Sequence, residues 1–345
     1  MRIGSNNLSY PFESRPEQGE LLSVAAGVFW VRMPLPISLN HINVWVLEDG
    51  DGWTIVDTGM GTDDTRRLWQ SIFDNHLDSK PVTRVIGTHM HFDHVGLAGW
   101  IADKWNAPLW MTRSEYLSCR VTEAEIQHAP PESNIEFFRS AGFGEDDLAE
   151  YRRRFQARSQ FLAPLPSTYR RMQGNDEVHI GNHSWRILIG SGHSPEHACL
   201  YCAELDVLIG GDQLLPRISP NVGVRPDEPG ANPMRDWIDS CQALKEELSE
   251  DVLILPSHGD PFHGAHPRLD ALVQEHEEGI DKLYAYCDEP RRVVDVFGVL
   301  FKGAIDSNNF VIATGEALAY LNHLLAKGTL KIEIDSNGIN RYSQA

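Results

Sequence analysis

Four residues with metal-binding side chains fall within six positions in the segment THMHFDHVG: His89, His91, Asp93 and His94. Imidazole nitrogen and carboxylate oxygen are ligands of zinc, iron and manganese centres. The four follow directly on the apolar run VIG. If that strand continued, His89 and His91 would share a face. Asp93 and His94 would then fall in a turn, where short side chains converge on one small volume. Three further candidates stand where other apolar runs end: His193 in GSGHSPEH after WRILI, Asp212 in IGGDQ after VLI, and His258 in PSHGD after VLIL. Each is flanked by Gly or Ser, and side chains at such positions are expected along one rim of a sheet. Five histidines and two aspartates are enough for two divalent metal ions with one carboxylate bridging. Zinc is the first expectation for a nitrogen and oxygen set, and iron or manganese would also suit it.

Two cations about 3.5–4 Å apart lower the pKa of a shared water toward neutrality. The resulting hydroxide can attack a carbonyl or phosphoryl centre while one metal polarises the oxygen on which charge develops. Asp93 can receive the nucleophile's proton as well as bind metal, which makes it the candidate catalytic residue. The GxSxG signature of a serine hydrolase is absent.

Elements that would position these residues surround them. Residues 24–57 read as strands, VAAGVFWVRM, NHINVWVLED and GWTIVDTG, with EDGDG as a hairpin turn between the last two. Leu68, Ile72 and Phe73 at helical spacing predict a helix from about Thr62 to His76. RVIGTH is a short buried strand that runs into the His89 cluster. This strand–helix–strand order points to a layered α/β domain. Residues 112–175 read as a helix-prone insertion without strand alternation. Strands resume at EVHIGNHSWRILIGSG and ACLYCAELDVLIGGD, a helix covers about Pro233 to Leu248, and DVLILPSHGD is again a buried strand. From Leu269 the pattern becomes three helices and a hairpin, TLKIEIDSNGINRYS, with its turn at SNG. The expected division is therefore 1–268 and a winged-helix-like module at 269–345.

The order VDTG, HxHxDH, GHS, GGD and SHG is similar to that of metallo-β-lactamase-fold hydrolases across about residues 20–265. With its trailing module the chain resembles the subgroup that carries a C-terminal winged-helix domain, near the lactamase-beta-like and glyoxalase II-like hydrolases. The resemblance implies an α/β fold, an αββα sandwich. It also implies that His89, His91 and His193 bind one metal, that Asp93, His94 and His258 bind the other, and that Asp212 bridges them. Asp57 of VDTG matches the family's buried aspartate, expected to orient the ligands from behind. Many true zinc β-lactamases carry cysteine where Asp212 stands, which points away from antibiotic hydrolysis as the native role.

The chain has 345 residues, 41% hydrophobic and 23% charged, an ordinary composition for a globular enzyme that excludes disorder and a fibrous fold. No apolar run approaches the ~20 residues of a membrane helix. The N-terminal stretch MRIGSNNLSYPFESRPEQGE is polar and lacks the apolar core of a signal peptide, so a cytoplasmic address is expected. A net charge of −19 argues against general nucleic-acid binding. The five cysteines are odd in number and scattered, which fits free thiols. Cys199 and Cys202 have zinc-like spacing but lie in the strand-like run ACLYCAEL, where residues three apart face opposite sides, so both are expected in the core.

Against this acidic background, residues 151–171 carry six arginines (Arg152, Arg153, Arg154, Arg158, Arg170 and Arg171) and no acid. They form either a solvated helix face or a cationic lip for an anionic substrate such as a coenzyme A, glutathione or phosphate group. On the second reading Arg153 and Arg170 are substrate contacts, and the loop LLPRISPNVGV adds Arg217 and Asn221. The expected function is metal-dependent hydrolysis of a small-molecule thioester or lactone, of the hydroxyacylglutathione or acyl-CoA type. The alternative is a phosphodiesterase or ribonuclease of the same fold. The tail is not expected to bind DNA. Its last helix places Leu318, Leu321, Leu324 and Leu325 at core spacing, and residues 271–345 hold seven Lys and Arg against eleven Asp and Glu. That apolar stripe must be buried in its own core and against the hydrolase domain or a second subunit, as in a homodimer.

Overall fold

The computed structural model describes residues 8–345, together with the backbone of Arg2 and Ile3; residues 1 and 4–7, part of the N-terminal stretch read above, lie outside the described residues. Two sheets face each other. The first has seven strands in the order Leu22–Ala25, Val28–Pro34, His41–Asp49, Gly52–Val56, Val82–Ile86, Leu109–Thr112 and Arg170–Met172. Its first four strands pair antiparallel and the rest parallel. The second has five, Glu177–Ile180, His183–Gly190, His197–Cys202, Val207–Gly211 and Leu253–Pro256, antiparallel but for the last pair.

Three apolar layers follow from this arrangement. Trp45, Ile86, Trp185, Ile187 and Leu255 fill the space between the sheets. Trp69, Ile72 and Phe73 of the helix Asp63–Asn75, with Ile101 of the helix Ala98–Trp105, cover the outer face of the first sheet. Trp237 and Leu244 of the helix Pro233–Glu247 cover the second with the C-terminal helices. Every residue of Gly52–Val56, His197–Cys202, Val207–Gly211 and Leu253–Pro256 is buried, the pattern of strands covered on both faces. The architecture is thus a mixed sandwich of helix, sheet, sheet and helix. Cys199 faces one apolar layer and Cys202 the other, and all five thiols are free and buried.

The helix Asp63–Asn75 starts where its sequence dictates. Thr62 Oγ1 accepts the Thr65 amide at 3.2 Å, and Asp63 and Asp64 sit at the positive end of the helix dipole. The insertion folds as the helices Arg113–Glu125, Glu132–Ala141 and Glu145–Ala157 around Phe138, Leu148, Tyr151 and Phe155. Its last part corrects the sequence reading: Arg170–Met172 is a strand of the large sheet. This edge strand buries only Met172, so it carries no apolar alternation to detect.

The tail consists of the helix Ala265–Tyr286, a short helical segment over Val293–Leu300, the helix Phe310–Ala326 and the hairpin Leu330–Ile334 with Asn340–Gln344. The position expected as a boundary, 268/269, lies inside the continuous helix Ala265–Tyr286. Leu318, Leu321 and Leu324 share one apolar cluster with Trp237 and Ile254 of the sandwich. Among the described residues no helix is long and apolar enough to cross a membrane.

Candidate metal centre

Parallel pairing puts the carboxyl ends of adjacent strands at one rim. Gly52–Val56 and Val82–Ile86 are parallel, so Asp57 and the segment from Thr88 leave the first sheet together. Val207–Gly211 and Leu253–Pro256 are parallel in the second, so Asp212 and His258 leave together there. His193 lies in the turn between His183–Gly190 and His197–Cys202. Backbone hydrogen bonds then tie the two rims: the Ala198 amide donates to Thr88 O at 2.8 Å and the Asn43 amide to Ser257 O at 2.7 Å.

The structure brings the seven residues into two groups, His89, His91, His193 and Asp212 in one and Asp93, His94 and His258 in the other, with the ligand atoms of each within 4.8 Å of one another. His89 Nε2 faces His91 Nδ1 at 2.9 Å and His193 Nε2 at 3.2 Å. Asp212 lies between the groups. Its Oδ2 is 3.4 Å from His193 Nε2, and its Oδ1 is 3.5 Å from His94 Nε2 and 3.4 Å from His258 Nε2. Asp93 Oδ2 is 3.4 Å from His258 Nε2.

His94 Nε2, Asp212 Oδ1 and His258 Nε2 are buried without a hydrogen-bond partner. Orphaned buried polar atoms are costly, and here three of them face one volume. A divalent cation would satisfy all three, so these residues fit the metal that such a donor set accepts. Charge agrees with this. Burial pushes the His89 and His91 imidazoles down, His91 to about 3, which keeps them neutral. Burial would raise Asp93, but the charge of His94 and the nearby His258 ring bring it down to about 2. Burial also opposes a charged His94, yet Asp57, Asp212 and Asp93 around it hold its pKa well above the usual value, a demand for positive charge that a metal ion in place of the Nε2 proton would meet.

Behind these side chains stands a set of holders. Asp57 Oδ2 accepts from His94 Nδ1 at 2.7 Å and from Thr88 Oγ1 at 2.8 Å, and Oδ1 accepts the Thr88 amide at 2.8 Å. Asp57 takes a left-handed φ of 60°, which points its carboxylate back at the strand end. His193 Nδ1 lies 2.8 Å from Asn221 O, and His258 Nδ1 lies 2.9 Å from His41 O. Each carbonyl fixes which ring nitrogen is left for a metal. Asn43 Nδ2 donates to Pro256 O and Gly259 O, both at 2.8 Å, and holds the His258 loop.

Several holders escaped the sequence reading. His197 stacks on His89 with ring centroids 4.7 Å apart and accepts the Asp212 amide at its Nε2 at 3.1 Å. Its signal was its place in GSGHSPEH, four residues after His193. Gly211 beside it is obligatory, since a Cβ there would run into the His197 ring and its φ is 52°. Glu115, buried on the insertion's first helix, accepts the amides of Met90 at 2.9 Å and Glu196 at 2.7 Å and so ties the two histidine loops together. No local pattern marks Glu115, because its partners are 25 and 81 residues away.

The expected substrate contacts fare differently. Arg153 is exposed and spent on Glu150, at 2.8 and 2.6 Å. Arg170 lies over the Trp110 ring at 4.8 Å on the edge strand. Neither joins the histidine cluster, because Glu150 stands one residue outside the acid-free window and Trp110 captures the other guanidinium. Asn221 serves through its backbone carbonyl, as a holder of His193. Arg217 is exposed over the Tyr10 ring at 5.5 Å.

The tail clamps the loop that carries Asn221. Arg268 donates to Leu215 O at 2.7 Å and Ile218 O at 2.8 Å, Ser219 Oγ pairs with His276 Nε2 at 3.2 Å, and the Val224 amide donates to Gly315 O at 2.9 Å. Asn322 holds Pro229 O and Ala231 O at 3.0 and 2.9 Å. Arg268→Ala leaves the buried Leu215 carbonyl unpaired, at about 1–3 kcal/mol, and releases the more exposed Ile218 carbonyl to solvent at smaller cost. The expected result is a lower Tm and faster amide exchange across residues 215–225, read by hydrogen-exchange mass spectrometry. Unchanged exchange there would contradict the clamp.

Residues 38–258 match the family model described as the metallo-beta-lactamase superfamily, and residues 280–345 match that of the metallo-beta-lactamase-like C-terminal domain. The chain is 39% identical to a beta-lactamase domain protein from Burkholderia ambifaria, whose crystal structure superposes with a TM-score of 0.90 over 98% of each chain. It is 24% identical to the probable metallo-hydrolase YqjP of Bacillus subtilis, over 78% of this chain and 80% of that protein. It is 22% identical to the acyl-coenzyme A thioesterase MBLAC2 of Bos taurus, over 70% of this chain and 81% of that protein. The strand-end histidines and aspartates, the sandwich that gathers them and these matches agree: the chain belongs to the metallo-beta-lactamase superfamily and is a metallo-hydrolase of that family.

Proposed function

We propose that the protein is a dinuclear metal-dependent hydrolase of thioesters, on acyl-CoA or acylglutathione-type substrates. The observation that carries the dinuclear reading is the position of Asp212 between two donor groups, with His94 Nε2, Asp212 Oδ1 and His258 Nε2 buried and unpartnered. His89, His91 and His193 would hold one ion, Asp93, His94 and His258 the other, and Asp212 would contact both. Bound metal would supply Lewis acidity and an acidified water, with zinc the first expectation for this donor set. Around it, Asp57 fixes the His94 ring, Asn221 O and His41 O fix His193 and His258, and Asp93 is the carboxylate able to take up a proton at Oδ2. Thioester as the substrate class is supported by the relatives named as acyl-coenzyme A thioesterases, at 21–23% identity.

The tail, read as a winged-helix-like module, is proposed to serve the loop after Asp212 rather than DNA. Its leucines at 318, 321 and 324 are buried, and the helix Phe310–Ala326 carries no Lys or Arg to meet a phosphate backbone. The test of function is a panel of thioester, lactone and phosphodiester substrates on protein whose metal content has been measured. Thioester turnover with about two metals per chain is expected. Phosphodiester cleavage without thioester turnover would overturn the reading in favour of a nuclease.

A further inference from the structure

Of the arginines in residues 151–171, Arg158 has a different environment from those already placed. Arg154 joins Arg153 on Glu150, at 2.5 Å, and reaches Asn308 Oδ1 at 2.9 Å. Arg158 opens the short helix Arg158–Phe161 and lies over the Phe155 ring at 4.3 Å. Its Nε is buried without a hydrogen-bond partner, and among the described residues no carboxylate lies within 4.0 Å of it. Burial pushes its guanidinium below the ordinary value; Tyr151 and Glu125 act against that shift, and the positive charge of Arg225 adds to it.

Arg225 connects this place to the reaction centre. Its Nη1 lies 2.6 Å from the sulfur of Met90, the residue between His89 and His91. Its Nε and Nη2 donate to the two oxygens of Asp227, at 3.0 and 2.7 Å. The neighbouring Val224 amide is fixed by Gly315 O. The apolar floor is shared as well, since Phe92, between His91 and Asp93, packs against the cluster that contains Tyr151 and Phe155. Two guanidinium groups therefore border the histidine segment, Arg225 paired with Asp227 and Arg158 with no carboxylate partner. A half-buried cation without a counterion is unfavourable unless something anionic completes it. The planar donor fork of Arg matches carboxylate and phosphate oxygens in pairs.

We propose that Arg158 and Arg225 anchor an anionic group, phosphate or carboxylate, on the non-reacting half of the substrate. This rests on the thioesterase reading for its substrate and on the geometry above for its place. Arg158 is a specificity residue, and Asp227 keeps Arg225 aligned until the anion arrives.

The test uses the metal-loaded full chain, the variants Arg158→Gln and Arg225→Gln, and Arg67→Gln as control, an exposed residue paired only with Asp64. Turnover is compared for hexanoyl-CoA, S-hexanoylglutathione and the uncharged S-hexanoyl-N-acetylcysteamine. Binding of adenosine 3′,5′-bisphosphate and of S-methylglutathione is measured by calorimetry, independently of turnover. Loss of a charge-assisted contact should raise KM for the charged thioester about tenfold or more. The neutral thioester should keep its KM, and kcat should hold for both. The bisphosphate or the glutathione probe should lose affinity by a similar factor, and whichever responds identifies phosphate or carboxylate as the ligand. If no thioester is turned over, the thioesterase reading fails while the binding arm still decides the anchor. Equal KM changes on charged and neutral thioesters, or failure of the wild-type protein to bind either probe, would overturn the proposal. If Arg158→Gln does not fold, Arg225→Gln carries the same comparison.

Discussion

Asp93→Asn is expected to lower hydrolysis by about 10²–10⁴-fold, the range a positioned proton acceptor contributes. The substitution keeps the shape of the side chain and removes its charge. Asp93 Oδ2 lies 3.4 Å from His258 Nε2 and 3.8 Å from His94 Nε2, so the lost charge also weakens the field that favours a cation among these rings. The ionised carboxylate is what makes it a base, and the His94 and His258 side of the centre holds its pKa at about 2 despite burial, a pull that a bound cation would keep up. Turnover must be read together with metal content, since loss of metal and loss of the base both lower the rate. A variant with full metal occupancy and a collapsed kcat would assign the effect to proton uptake. Near-normal turnover would contradict the role given to Asp93.

Asp57→Asn is expected to weaken metal binding by about 10–100-fold, the usual effect of removing the partner that orients a ligand. Asparagine is the informative choice because Asp57 has a left-handed φ of 60°, a conformation that asparagine tolerates well. The backbone can stay in place while the chemistry changes. An amide can still accept the Thr88 amide proton at one atom, but its NH₂ group would then meet the His94 Nδ1–H, donor against donor. The His94 ring loses the anion that fixes its orientation and tautomer. Competition with a chromogenic chelator reads the affinity directly, without substrate. Unchanged metal affinity would show that Thr88 and the packing around His94 suffice.

Much of the centre was legible because its signals are local. His89, His91, Asp93 and His94 are close in the chain, and His193, Asp212 and His258 each end an apolar run that could only be a strand. Strands paired in parallel deliver their ends to one rim, so the seven side chains meet once the two sheets stack. The insertion was legible as helical but its closing strand was not, because Arg170–Met172 buries one residue of three.

By itself the sequence determined a layered α/β domain, the order of the strand-end histidines and aspartates, and the helical and hairpin character of the tail, since each of these is written in short-range periodicity or spacing; the two-sheet sandwich came from the family resemblance. Only the tertiary structure decided which residues hold those side chains in place and which cations are spent. The resemblance pointed to Asp57, but His197 meets the Asp212 amide across 15 residues, Glu115 meets the Glu196 amide across 81, and Arg268 meets Leu215 O across 53. Such contacts leave no period in the chain, because a single hydrogen bond fixes two residues and constrains nothing between them. The arginines follow the same logic. Six of them read alike in sequence, but the fold gives Glu150 to Arg153 and Arg154 and Trp110 to Arg170, and lays Arg158 over Phe155 with its Nε unpaired.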